Sequence, residues 1–381
     1  MNETKRREFL RSSTAALAAT QLDRNVLARQ SNGSKIKSAP NSQGYPIMIP
    51  GYYGSQPGIQ IGTQLPPNAG EEDMRFVRQL GVEWVMTSLP PQDQNLESYS
   101  ALKRRFAAQG LKIYRLANHR CHNMEEVTLN LPGRDEKIQE YLRYIRLLGE
   151  AEIHYATYAH MANGIWSSES EFIRGGAQAR ALRLDKNPVG NWVGKTWKGA
   201  LTNGRRYSED ELWENYIYFI RKVVPVAEEA RVYIGIHPDD PPVYDLGGIP
   251  RCIFGNFAGY QRAMKIADSP NIGVCLCVGC WLEGGTRMGK DVLETIRYFV
   301  DRKKLFKVHL RNITAPLPEG FAETFLDDGC MNMCRVMRTL HKTGFNGAVI
   351  SDHIPQMVGG ARASEAFAVG YMRALIQAVR S

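Results

Sequence analysis

The sequence predicts an α/β fold: a closed (β/α)8 barrel of eight parallel strands, each followed by a helix, over residues 41–381. Short runs rich in β-branched residues alternate with longer stretches in which apolar residues recur three and four positions apart. Glycines follow several of these stretches, where helices commonly end. An open doubly wound sheet is the alternative, but no G-x-G-x-x-G motif follows the first strand. The predicted strands are 59–64, 83–89, 111–118, 153–161, 232–238, 272–279, 305–312 and 347–353.

The first 40 residues are predicted to lie outside the barrel. Within TKRREFLRSSTAALAAT, the adjacent Arg6 and Arg7 precede a run of small apolar residues, an arrangement that resembles a twin-arginine export signal. The polar stretch RQSNGSKIKSAPNSQG that follows is typical of a linker. We therefore expect an exported or periplasmic protein; the alternative is a basic N-terminus on a cytoplasmic one.

Composition limits the classes of partner. The 48 Lys and Arg against 39 Asp and Glu give a net charge of +9, part of which lies in the leader. Because no basic cluster with interleaved aromatic residues occurs, nucleic-acid binding is not expected, and the mild positive charge suits a small anionic substrate. No apolar run reaches the roughly 18 residues that cross a bilayer. A homo-oligomer remains open.

One connection is much longer than the others. Residues 162–207 follow the fourth predicted strand and show no clear periodicity. Loops of this length in compact domains are usually functional or disordered. Since a barrel carries its chemistry at the C-terminal ends of the strands, we expect this insertion to lie over the mouth of the barrel.

The last four predicted strands end on residues that can bind a metal ion. These are His237, Cys277, His309 and Asp352, each at the same end of a different strand. Two imidazoles, a thiolate and a carboxylate form a donor set for one borderline divalent metal, and zinc or iron would satisfy it. The sequence therefore predicts a single metal site at the barrel mouth.

The stretch NIGVCLCVGCW places three cysteines within six positions. Cys275 and Cys277 share strand parity, so both could face the barrel axis, whereas Cys280 lies past the strand. We favour one ligand, Cys277, with two bystanders. A multi-cysteine cluster and a disulfide are the alternatives, although an odd total of seven cysteines argues against a disulfide framework.

Several motifs resemble the mannonate dehydratase family, which has a xylose-isomerase-like barrel. They are GIHPDDPPVYDLGGIPRCIFG, VCLCVG, KVHLRNIT and SDH, and the likeness covers essentially everything after the leader. The resemblance implies a divalent metal, usually manganese, on the four residues identified above. It also implies a metal-dependent lyase that removes water from a sugar acid such as D-mannonate to give a 2-keto-3-deoxy acid.

The end of the chain departs from the family pattern. The family's last strand continues as Asp-His-Gly-Arg, followed by a loop with a catalytic tyrosine, whereas this chain reads SDHIPQMVGG, with Ile354 and Pro355 in place of Gly-Arg. No tyrosine follows before Tyr371, on the last predicted helix. Two alternatives stay open: an isomerase, epimerase or keto-glycoside lyase that uses the same metal site, and an inactive exported sugar-binding relative.

Catalytic roles fall to residues close to the predicted ligands. His353, beside Asp352, is the first candidate for acid–base catalysis. Arg311 has the strand parity to point inward and could hold a substrate carboxylate in a bidentate contact. Four more residues are candidates for substrate binding: His119, His160, Asp239 and Glu323. For Asp239 a role in the turn before Pro241 is an equal alternative.

Overall fold

The computed structural model describes residues 58–381, and the predicted leader lies outside this range, so export stays a prediction. Eight parallel strands form one sheet in a nearly closed barrel, which confirms the predicted fold. Every predicted strand contains one observed strand. They are β1 (Ile59–Gln64), β2 (Trp84–Ser88), β3 (Lys112–Ala117), β4 (Tyr155–Tyr158), β5 (Tyr233–Ile236), β6 (Ile272–Cys277), β7 (Leu305–Leu310) and β8 (Gly347–Ser351).

The strand order explains how the barrel closes. Hydrogen-bonded neighbours run β3-β2-β1-β8-β7-β6-β5-β4, so the first and last strands of the chain pair in parallel. The remaining seam lies between β3 and β4. Just beyond the ends of these strands, Asn123 and Ala159 form a parallel bridge, and the Ala159 N–H donates to the His122 carbonyl at 2.7 Å. The two edges are therefore tied at the mouth.

A helix follows each strand. They are α1 (Glu71–Gln79), α2 (Leu96–Ala108), α3 (Arg134–Glu150), α4 (Glu209–Glu229), α5 (Phe257–Ala267), α6 (Val292–Asp301), α7 (Met333–Lys342) and α8 (Ala361–Arg380). Local sequence sets several of their ends. Ser208 and Glu211 form a capping box at the start of α4, and Gly81 and Gly110 adopt positive φ just past α1 and α2. Among the described residues, no helix is both long and apolar enough to cross a membrane.

Two apolar clusters hold these layers together. The larger one lies between the strands and the helices. A smaller one consists only of strand residues and therefore fills the barrel interior. Its fully buried members are Trp84, Tyr114, Tyr155, Phe306, Ala348 and Ile350. These large side chains close the interior below the C-terminal ends of the strands, where polar groups collect.

The insertion after β4 is ordered into short antiparallel strands. Ile165–Ser167, Val189–Trp192 and Lys195–Trp197 form one small sheet. Ala181–Leu182 pairs with Phe321–Thr324, a strand in the loop after β7. The insertion is thereby joined to the loops at the C-terminal ends of the barrel strands, as its position in the sequence predicts.

Two helical glycines provide a test of the packing between helices. A Cβ added at Gly149 on α3 would lie 2.6 Å from the Ala230 carbonyl oxygen at the end of α4, and backbone cannot move aside cheaply. We expect Gly149→Ala to lower the free energy of unfolding by about 1–3 kcal/mol. The exposed Gly370 on α8 has open space around it, so Gly370→Ala should raise that free energy by about 0.5–1 kcal/mol.

Urea unfolding followed by circular dichroism measures both variants. If both substitutions changed the free energy of unfolding equally, the close approach of α3 and α4 would be contradicted. Both changes would then reflect only the higher helix propensity of alanine.

Candidate metal centre and acid–base cluster

The four predicted metal ligands come together at the mouth of the barrel. His237 follows β5, Cys277 ends β6, His309 lies on β7 and Asp352 follows β8. One potential ligand atom from each lies within 4.8 Å of the others. This convergence follows from the fold, because neighbouring parallel strands place their C-terminal ends side by side. Four side chains from four strands can therefore share one small volume.

The histidine contacts fit a metal in this volume. His237 Nδ1 lies 2.7 Å from the Pro238 carbonyl oxygen, to which an N–H donates, so Nε2 keeps its lone pair. His309 Nε2 lies 3.5 Å from Cys275 Sγ. Its Nδ1 is buried, finds no hydrogen-bond partner among the described residues and lies 3.5 Å from Asp352 Oδ2. Burial lowers the pKa of His309, but Cys275 and Asp352 outweigh it and raise that pKa well above its usual value, and a cation bound here would take the place of the imidazole proton.

The remaining two donors are anionic. Burial would raise the pKa of the Cys277 thiol, but a hydrogen bond from Cys280 and the charge of Arg311 hold that pKa well below its usual range. Burial also opposes ionisation of Asp352, yet His353 and His309 hold its pKa well below that of a free carboxyl. A thiolate and a carboxylate give the donor set two negative charges, which matches a divalent cation.

A buried guanidinium lies beside this donor set. The Arg311 side chain is only 1% exposed. Its Nη2 donates to Asp240 at 3.1 Å, to Glu283 at 2.8 Å and to Cys280 Sγ at 3.0 Å, and its Nη1 donates to Glu323 at 2.9 Å. Asp240, Cys280 and Glu283 also have the spacing of a metal site. The guanidinium already supplies the cation there.

A second arginine reaches this cluster from the insertion. Arg180 Nη1 donates to Glu323 at 2.8 Å, and Nη2 donates to Asp240 at 2.5 Å and to the Trp166 carbonyl at 2.7 Å. Burial alone would raise the pKa of Asp240, but the two arginines lower it well below its usual range. Burial and the nearby Asp240 raise the pKa of Glu283 well above that of a free carboxyl.

His353 connects the arginine cluster to the mouth. Its Nδ1 lies 2.8 Å from Glu323 Oε1 and 2.7 Å from Arg311 Nη1. A carboxylate only accepts, so the contact with Glu323 is a hydrogen bond when Nδ1 carries the proton; the Arg311 contact is then a close approach of two donors, and Nε2 is the nitrogen left for reaction. The side chain is 33% exposed and lines two cavities of about 500 and 350 Å³. Burial lowers the pKa of His353, but Asp352 and Glu323 outweigh it and raise that pKa.

The predicted site residues divide into two groups. The structure brings His353, Arg311 and Glu323 next to the metal ligands. Both terminal nitrogens of Arg311 are occupied by protein groups, so no free pair of donors faces a substrate carboxylate. Asp239 is buried behind the site, where it contacts Arg251 Nη1 at 3.4 Å. His119 is exposed near Trp192, with the two ring centres 6.5 Å apart.

His160 lies away from the metal ligands. It packs against Tyr216, Phe219 and Phe254, between β4 and the helix layer, and the Tyr158 hydroxyl forms a hydrogen bond with its Nδ1 at 2.6 Å. The strand β4 ends at Tyr158, so residues beyond it no longer follow strand parity. The structure does not place this imidazole at the mouth of the barrel.

The three clustered cysteines have different surroundings. All seven cysteines of the chain are free, and none forms a disulfide. Cys277 belongs to the metal donor set, Cys275 faces His309, and Cys280 faces Arg311. Cys275 and Cys280 therefore contact other members of the site, and Cys277 as the single cysteine ligand stays a prediction.

Sequence reasoning missed several members of the cluster. Arg180 belongs to no recognisable motif, and the insertion around it shows no periodicity from which its position could be predicted. Glu283 and Cys280 are three positions apart on the short helix Val278–Gly284, a spacing that places both on one helix face and could have been noticed. His122 and Arg115 also meet near the mouth, at 2.8 Å between ring nitrogen and guanidinium.

Comparison with known proteins decides the family. The sequence profile of the D-mannonate dehydratase (UxuA) family matches residues 70–379. The chain belongs to the mannonate dehydratase family. It is 30% identical over 297 residues to mannonate dehydratase 2 of Halalkalibacterium halodurans, covering 73% of this chain and 84% of the relative. It is 29% identical to the mannonate dehydratase of Thermotoga neapolitana over 306 residues, or 74% and 82% of the two chains.

Solved structures agree with this family and with the fold. The crystal structure of mannonate dehydratase from Streptococcus suis serotype 2 aligns with a TM-score of 0.71 at 25% identity, covering 84% of this chain and 95% of that one. An L-ribulose 3-epimerase aligns with a TM-score of 0.54 at 13% identity, over 84% and 98% of the two chains, and supports the barrel fold alone. Family membership supports an enzyme, a dehydratase that acts on a sugar acid.

The burial of His160 predicts a pH dependence of stability. Burial lowers the pKa of its imidazole from 6.5 to about 3, so the unfolded chain binds a proton below pH 6.5 that the folded chain does not. Stability from this group is complete above pH 6.5 and decreases as pH falls toward 3, by about 2 kcal/mol at pH 5. The loss of stability between pH 7 and 5 should therefore be smaller by that amount in His160→Gln.

Urea unfolding at the two pH values measures the difference. The exposed His341 on α7 provides a matched control as His341→Gln. An identical drop in His160→Gln and the parent chain would show that this imidazole does not stay neutral in the folded protein.

Proposed function

We propose that the chain is a divalent-metal-dependent dehydratase that removes water from a sugar acid to give a 2-keto-3-deoxy acid. The observation that carries the proposal is the convergence of His237, Cys277, His309 and Asp352 within 4.8 Å at the barrel mouth. D-Mannonate is the substrate that the names of the relatives suggest. Because the segment after His353 departs from the pattern expected of the family, a related sugar acid is the alternative substrate.

The four residues would hold the cation through His237, His309, the Cys277 thiolate and the Asp352 carboxylate. Manganese is the metal that the family resemblance favours, while the thiolate also suits zinc or iron. A divalent cation bound here supplies Lewis-acid stabilisation for the charge that develops when a proton leaves the carbon next to the substrate carboxylate.

His353 is the acid–base group in this proposal. Glu323 accepts from Nδ1 and fixes the ring, so Nε2 is free to take the proton from the carbon next to the carboxylate. The protonated His353 then supplies the proton with which the hydroxyl on the next carbon leaves as water, and the resulting enol tautomerises to the 2-keto product. Arg311 acts as a positioning residue, because it contacts His353, Glu323 and Asp352 together.

Replacing the acid–base group should separate chemistry from metal binding. We expect His353→Gln to lower kcat by at least about 100-fold, the usual range for loss of such a group, while bound metal stays unchanged. Formation of 2-keto-3-deoxy acid from a panel of aldonic acids, together with elemental analysis, measures both quantities. Unchanged turnover in this variant would remove His353 from the mechanism.

Replacing a proposed metal ligand should first reduce the amount of bound metal. In Cys277→Ser we expect elemental analysis to show bound divalent metal reduced about 10-fold or more relative to wild type, with activity falling in parallel. Cys334, free and partly buried on α7, provides the matched control as Cys334→Ser, which should keep both metal and activity.

Two outcomes would contradict the proposal. A metal content that Cys277→Ser leaves unchanged would exclude the proposed ligand set. Exchange of substrate hydrogen for deuterium without loss of water, by the metal-loaded protein, would indicate an isomerase or epimerase instead of a dehydratase.

A further inference from the structure

A cavity beside the proposed reaction centre is larger than that reaction requires. Its volume is about 500 Å³, and its wall includes Ser351 and His353, the two neighbours of Asp352 in the chain. The rest of the wall comes from the end of β1, the segment after β8 and the first turn of α8. Pockets of this size commonly enclose ligands of drug size, whereas the reaction itself involves only the carboxylate and the adjacent carbons of a sugar acid.

The chemistry of the wall favours a neutral ligand over an anionic one. Among the described residues that line the cavity there is no lysine or arginine, and Glu365 contributes a carboxyl group. Glu365 is largely enclosed and accepts a hydrogen bond from the Thr63 hydroxyl. A second carboxylate or a phosphate here would meet this carboxyl, and the only cationic group among the lining residues that the structure describes, His353, is already paired with Glu323 and lies beside Asp352. The substrate carboxylate therefore belongs on the metal side of His353.

The same wall is suited to hydroxyl groups. Hydroxyls, amides and the carboxyl of Glu365 alternate with the apolar surfaces of Ile354 and Met357. Carboxyl and amide oxygens accept hydrogen bonds from sugar hydroxyls, while amide N–H groups donate to them. The apolar side chains can cover the C–H face of a sugar ring. A neutral polyhydroxylated group satisfies both parts of this lining.

We propose that this cavity binds a neutral glycosyl substituent of the substrate, so that the enzyme takes a sugar acid joined to a second sugar. The inference rests on the proposed function in one respect, because it places the reacting acid at His353. The cavity adjoins that residue, and a substituent on a hydroxyl beyond the reacting carbons would enter it as the carboxylate reaches the metal site.

A cavity-filling variant tests the inference. Ala361 lines the cavity at the exposed first position of α8, so Ala361→Trp should fill the space without disturbing the core. Val358 is fully exposed and is not part of the lining, and Val358→Trp is the matched control. Thermal unfolding of each variant confirms that the fold is intact.

The first experiment uses saturation-transfer NMR to measure binding of methyl glucoside, methyl galactoside and methyl mannoside to the metal-loaded full chain. We expect at least one to bind wild type and Val358→Trp, with affinity reduced about 10-fold or more in Ala361→Trp. No binding to wild type, or equal binding by Ala361→Trp, would overturn the inference.

The second measurement is turnover. The ratio of kcat/KM for aldobionic acids, such as cellobionate and lactobionate, to kcat/KM for the corresponding aldonic acids should fall about 10-fold in Ala361→Trp. If aldonic acids are dehydrated but Ala361→Trp does not change the affinity for glycosides, the cavity inference fails and the proposed function stands. If no acid is dehydrated and Ala361→Trp still abolishes glycoside binding, the proposed function fails and the cavity remains a sugar site.

Discussion

The burial of the Arg311 guanidinium is the constraint on which the site depends. A charge taken out of water is costly unless its partners are close and well oriented. Asp240, after β5, Glu283, after β6, and Glu323, after β7, all lie within hydrogen-bond distance of this one group. Three loops from three strands are thereby fixed relative to each other, and removing either ionised partner, Asp240 or Glu323, would leave an unbalanced charge in the interior.

Charge balance then divides the barrel mouth into two parts. Arg311 and Arg180 supply two positive charges, and the ionised Asp240 and Glu323 supply two negative ones, because the raised pKa of Glu283 keeps that carboxyl protonated. The arginine cluster is therefore close to neutral. The Cys277 thiolate and Asp352 lie beside this cluster at the mouth, where a cation held between them would meet their negative charge.

The sequence could predict the parts of this arrangement that depend on strands. A parallel barrel brings strand ends together whatever lies in the loops, so His237, Cys277, His309 and Asp352 could be identified from their positions alone. Arg180 could not, because its place is set by pairing of Ala181–Leu182 with a strand some 140 positions later in the chain. His160 lies beyond the last residue of β4, where parity no longer determines which way a side chain points.

The same distinction applies to the segment after β8. His353 adopts a positive φ of 49°, an unusual conformation for a residue with a side chain, and its ring is held by Glu323 and Arg311. None of these constraints involves the residues that follow. The next segment is instead tied to the insertion, through the Gln356 N–H that donates to the Gln178 carbonyl at 3.1 Å. The geometry of the proposed acid–base group and the shape of the adjoining cavity are therefore set by separate contacts, so the cavity can change while the position of His353 is preserved.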